Sequence, residues 1–212
     1  NSKILDTNDS ATTRYIAGRL RETGQWSALG LTANPTTNGT IYAIAYNQIN
    51  GLYYVGGNFT GMNGVAGRDY IASYDPDTAT WATVGAGSSV NGIIYDIAIA
   101  PNGDVYIGGS FTNVGDGNGD YLAYYDISAA AWASISAGGT STVRAIKFGN
   151  DGTLYFGGTF VNWNAIPNAD AIAKYSGGAY AALSTGISGG LGYVYDLEID
   201  IDGNLVVVGD FT

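Results

Sequence analysis

The chain contains no cysteine and no histidine in 212 residues. These absences remove disulfides, thiol nucleophiles, the usual zinc ligand sets and imidazole acid–base chemistry. Charge is scarce as well. Only 12% of residues are charged, about half the usual share for a globular protein. Eight basic against 18 acidic residues leave a net charge of −10. Nothing in that balance would neutralise phosphate, so nucleic acid and anionic membrane surfaces are poor partners. No apolar run approaches the length of a membrane span, which speaks against membrane insertion, and no basic, apolar signal segment opens the sequence. No window shows a 3.6-residue apolar period, and 33 glycines are too many for helices.

What is present is a repeat. The stretch from Ile41 to Gly85 holds a short strand, an Asn-Gly turn, a strand ending Gly-Gly-x-Phe, a longer loop, a strand reading Ile-Ala-x-Tyr-Asp, a turn and a Trp strand. The second glycine of the pair falls at Gly57, Gly109, Gly158 and Gly209, a period of roughly 50 residues. Asn50-Gly51, Asn102-Gly103, Asp151-Gly152 and Asp202-Gly203 keep the same phase. Such dipeptides between β-type runs are strong hairpin signals, and they predict type I′ turns. Each copy therefore reads as a four-stranded antiparallel meander, strands A to D.

The fourth copy is divided. Residues 193–212 supply strands A and B, while Tyr15-Ile16-Ala17 and Trp26 near the other end match strands C and D. Joining the ends completes one blade and removes the sheet edges. The expectation is an all-β, four-bladed β-propeller of four-stranded antiparallel blades in one domain, 1–212, with the ring closed by terminal strands sharing the last blade. The blades run over about 41–85, 93–136, 142–184, and 193–212 plus 14–30. Strand 205–211 would then pair with 14–20. Half of an eight-bladed ring built by two chains, or a stretch cut from a longer ring, are the alternatives.

The motifs Gly56-Gly57-Asn58-Phe59-Thr60, Gly108-Gly109-Ser110-Phe111-Thr112 and Gly157-Gly158-Thr159-Phe160, with Ile-Ala-x-Tyr-Asp and Trp following, carry a resemblance. They resemble the propeller repeats of bacterial cell-surface and phage tail proteins, and are similar to those of fungal cortical polarity markers. The pattern weakens at Val208-Gly209 and at Tyr180, where Trp is expected. The resemblance implies an extracellular, cell-surface or virion scaffold without enzyme activity, and a place in a larger assembly.

Candidate sites follow from phase. Trp26, Trp81, Trp132 and Tyr180 recur as blade-to-blade packing residues. Asp75 and Asp126 recur as turn caps, which argues against a unique acid pair for glycoside hydrolysis. Alternate strand positions share a face, so Asp96, Asp196, Lys147 and Glu198 should line the channel. Lys147 should pair with Glu198, and Asp96 and Asp196 should oppose each other with water, a cation or backbone amides. Asp116, Asn118 and Asp120 space their oxygens as a calcium loop does, but Tyr121 and Ile127 stand at its sixth and twelfth positions. No cofactor beyond such a channel or loop cation is expected. Asn8, Asn38 and Asn58 begin glycosylation sequons. The B–C loops and D–A crossovers share one end and vary in sequence, so specificity should sit there. Trp163, Asn162, Asn164, Arg68, Asp69, Asp116, Asn118 and Asp120 form the predicted contact surface for a protein partner. A lectin holding surface glycan is the second reading, and a glycosidase the third.

Overall fold

The computed structural model describes residues 17–19, 26–28, 39–85, 90–115, 121–135, 141–183, 187 and 192–211. Two short strands come first, β1 (Ala17–Arg19) and β2 (Trp26–Ala28), paired antiparallel. The first complete blade follows as β3 (Thr40–Tyr46), β4 (Tyr53–Asn58), β5 (Ile71–Asp75) and β6 (Thr80–Ala82). The second is β7 (Ile94–Ile99), β8 (Val105–Gly109), β9 (Leu122–Asp126) and β10 (Ala131–Ser134). The third is β11 (Val143–Phe148), β12 (Leu154–Gly158), β13 (Ile172–Ser176) and β14 (Ala179–Ala182). Last come β15 (Tyr193–Ile199) and β16 (Leu205–Asp210).

Three sheets have four strands in simple meander order, and β1–β2 and β15–β16 form two further two-stranded sheets. The architecture is an all-β propeller. The innermost strands pack in sequence, β3 on β7, β7 on β11 and β11 on β15. Among the described residues, β16 pairs with β15 and β1 with β2. The proposed closing pair spans residues 14–20, most of which lie outside the described set.

The glycine pairs explain how the blades stack. At Gly56 an added Cβ would lie 2.6 Å from Ile94 Cγ2, and at Gly108 it would lie 2.7 Å from Val143 Cγ1. The first glycine thus admits the innermost strand of the following blade. Around these junctions Phe59, Phe111 and Phe160 are buried. Trp132 Nε1 donates to the Val84 carbonyl at 3.1 Å, across one junction. Tyr180 hydroxyl donates to the Ile135 carbonyl across the next. Tyr180 departs from the Trp pattern yet makes the equivalent inter-blade bond.

The A–B turns differ from the type I′ expectation. Gly51, Gly103, Gly152 and Gly203 have positive φ, but the preceding Asn or Asp residues do not. In the second blade Gly103 N–H donates to Ala100 O at 2.8 Å, and Ala100 N–H donates to Asp104 O at 2.9 Å. This is a type I turn followed by a left-handed glycine, the three-residue hairpin connection. One permissive residue is enough, so Asn or Asp can remain right-handed and use its side chain. Asn102 Oδ1 accepts from Asp104 N–H, and Asp151 Oδ1 accepts from Thr153 N–H.

Candidate functional site

Two places break the repeat: the channel wall and the B–C loops. The channel wall is built by β3, β7, β11 and β15. Lys147 on β11 donates from Nζ to Glu198 Oε2 on β15 at 2.7 Å. Both side chains are well exposed, so this pair stabilises the fold by about 1 kcal/mol at most. The lysine holds the Glu198 carboxyl below its usual range.

Asp96 has a different setting. Its Oδ1 accepts from Ile97 N–H at 2.8 Å, and its Oδ2 accepts from Ile146 N–H on the neighbouring blade at 2.8 Å. Burial pushes its carboxyl up to about 6, the two amides and Lys147 oppose that, and Asp196 adds to it. Asp196 is exposed and accepts from Leu197 N–H at 2.8 Å. Asp96, Lys147, Phe148, Asp196, Glu198 and Tyr46 line a cavity of about 430 Å³. Chemically the cavity offers one neutralised ion pair, the amide-bonded Asp96 carboxylate and the exposed Asp196 carboxylate. Among the described residues, no cluster of three or more His, Cys, Asp or Glu side chains is placed to hold a metal ion.

The loops of the first and third blades share one fold. Gly61 (φ 60°) and Asn162 (φ 47°) start a short 3-10 turn in the left-handed region, and Asn63 and Asn164 continue in it. Asp69 Oδ1 accepts from Gly61 N–H at 2.6 Å, and Asp170 Oδ1 accepts from Asn162 N–H at 2.7 Å. Met62 N–H donates to Arg68 O at 3.0 Å, and Trp163 N–H donates to Ala169 O at 2.9 Å. Met62 and Trp163 therefore hold equivalent places, and both are buried.

This corrects the contact role expected of Trp163. Its ring lies 4.9 Å from Phe156 and 4.8 Å from Phe160, centroid to centroid, and it has no exposed surface. It anchors the loop to its own blade. Asp69 is a loop clamp, and Arg68 is partly buried. Asn162 and Asn164 are exposed, as are the flanking Val65 and Val161. Asp116, Asn118 and Asp120 lie outside the described residues. The signal for the shared loop was in the sequence: both loops end in Asp, seven residues after Met62 and Trp163.

Solved structures of similar shape exist at low identity. The chain superimposes on an extracellular domain described as that of a hybrid two-component system, BT4673 of B. thetaiotaomicron, with TM-score 0.63 and 14% identity. The match covers 93% of this chain and 24% of that one. A catalytically inactive virginiamycin B lyase from Staphylococcus aureus, with quinupristin, gives TM-score 0.52 at 13% identity, over 84% of this chain and 51% of that one. A protein described as a gluconolactonase gives 0.54 at 14%, over 87% and 60%. This chain thus spans about a quarter to three fifths of their lengths, and the likeness concerns the fold alone. No curated protein sequence matches the chain. The sequence model of the Rax2 C-terminal β-propeller domain matches residues 25–199, so the chain belongs to that family.

Proposed function

We propose that the chain is a non-enzymatic extracellular binding module, a scaffold or adhesion unit that holds a protein partner on its B–C loop and D–A crossover face. The observation that carries this reading is the pair of self-locked loops. Each is fixed by a carboxylate clamp and a buried anchor, and each leaves its tip in solvent. A loop ordered before binding loses little entropy on association, which favours recognition. The exposed tips are mixed in character: Val65 and Val161 are apolar and Asn162 and Asn164 polar. That composition suits a protein surface. The extracellular placement of the BT4673 domain is consistent with this setting.

The test offers the immobilised chain a panel of extracellular protein domains beside a glycan array. Protein binding should weaken about tenfold or more in a V65D/V161D double variant, a loss of 1.4 kcal/mol or more, with Tm unchanged. Binding of glycans alone, or protein binding indifferent to that variant, overturns the reading.

A further inference from the structure

The innermost strands carry an irregularity that the sequence does not announce. Register shifts fall between Ile41 and Ala43, Ile94 and Asp96, Val143 and Ala145, and Val194 and Asp196. One residue is therefore extra in each of the four strands: Tyr42, Tyr95, Arg144 and Tyr195. A bulge re-aims its side chain relative to the regular pleat. The bulges sit where the innermost strands begin, beside the ends of the second strands from which the B–C loops leave. They ring the channel mouth on that face.

The four side chains touch in order. The Tyr42 and Tyr95 rings are 5.4 Å apart. The Arg144 guanidinium carbon lies 5.2 Å from the Tyr95 centroid and 5.8 Å from that of Tyr195. Two tyrosines thus hold the guanidinium by cation–π contact. Its Nε is buried and, among the described residues, has no hydrogen-bond partner. Among the described residues the one ion pair is Lys147–Glu198, so Arg144 is ordered without a carboxylate in a chain rich in them.

We propose that this mouth binds a carboxylate carried on a small ring-bearing molecule. The Arg144 fork would take the carboxylate, and Tyr42 and Tyr195, each 49% exposed, would pack against the ring. A planar guanidinium already stacked on aromatics loses little freedom when it meets a planar carboxylate, and the two match edge to edge. A monoanion is favoured over phosphate or sulfate, because Asp96 and Asp196 directly follow two of the ring residues and repel a second charge. Uronic acids and aryl acids share this chemistry. The site does not depend on the loop-face reading.

The experiment titrates the full chain by calorimetry with sodium glucuronate, sodium benzoate, glucose and sodium sulfate. At least one of the two carboxylates should bind, with glucose and sulfate much weaker. Glucuronate alone would mark a sugar-acid site, and benzoate alone an aryl-acid site. R144Q should weaken binding at least about tenfold with Tm preserved. R144K keeps the charge without the fork, so it should retain only part of the affinity, and it serves if R144Q does not fold. Absence of binding by both carboxylates overturns the proposal. So does equal affinity in the Arg144 variants, or equal affinity for glucose.

Discussion

Asp96 joins two blades through backbone amides, and its burial gives the protein an unusual pH response. Its carboxyl rises to about 6 in the fold, against about 3.9 in an unfolded chain. Between those values the folded state holds a proton that the unfolded state has released. Stability from this group therefore falls as pH rises from about 4 to 6, and the loss is complete above 6. Asp75, Asp126, Asp151 and Asp200 are shifted the other way by hydrogen bonds within their turns. Their contributions are present above the ordinary carboxylate range and lost as pH falls. Denaturant unfolding at pH 4 and pH 7.5, for native chain and D96N, isolates the first effect. Relative to D96N, the native chain should lose roughly 2 kcal/mol between those values. A flat difference would show that Asp96 is not buried as the structure has it. Trp163 gives a second residue-scale outcome. As a fully buried ring among Phe156, Phe160 and Tyr180, W163A should cost about 3–5 kcal/mol, read from the denaturant midpoint. A near-neutral variant would return Trp163 to the surface.

At the scale of elements, the B–C loop is a built object, held at both ends. Tyr70, Tyr121 and Ala171 stand where the loop meets the third strand, all with positive φ. Each donates its N–H to the carbonyl of Phe59, Phe111 or Phe160, and accepts from the N–H of Gly57, Gly109 or Gly158. These paired bonds hold non-glycine residues in a sparsely populated conformation. The Asp170 carboxylate closes the other end, so D170A should cost roughly 1–2 kcal/mol and speed hydrogen exchange at Asn162 N–H. Unchanged exchange there would mean the clamp does not hold the loop. Much of this frame was legible. The glycine pairs, the phenylalanine series and the Asn/Asp-Gly turns are local signals, and each is forced by close approach or positive φ. The bulges were not legible, because a register shift belongs to the pairing of two strands rather than to either sequence. That is why Tyr42, Tyr95, Arg144 and Tyr195 went unremarked. Trp163 misled for a related reason: its uniqueness among the loops suggested a contact, while the equivalence to Met62 appears only when both loops are laid on one conformation.

For the whole molecule, the decisive feature is that the described inter-blade junctions follow one plan which the first blade's outer face does not complete. Ile97, Ile146 and Leu197 are buried against the preceding blade, but their counterpart Ile44 is 52% exposed. Trp132 and Tyr180 each donate to a carbonyl of the blade before, whereas Trp81 Nε1 is buried with no partner among the described residues. On the last blade, Val208 stands where Gly56, Gly108 and Gly157 admit a neighbour, and it is 58% exposed. A blade approaching Val208 with the usual geometry would meet the side chain that those glycines omit. Ring closure between the β15–β16 pair and the first blade would therefore need a different fit from the other junctions. The two isoleucines separate the possibilities. Ile97→Ala empties a filled junction and should cost about 2–4 kcal/mol. Ile44→Ala removes a half-exposed side chain and should cost under about 1 kcal/mol. Both are read from denaturant midpoints at low protein concentration, where a second copy cannot cover the face. If Ile44→Ala costs as much as Ile97→Ala under those conditions, a blade of the same chain covers Ile44 in solution and the ring is closed.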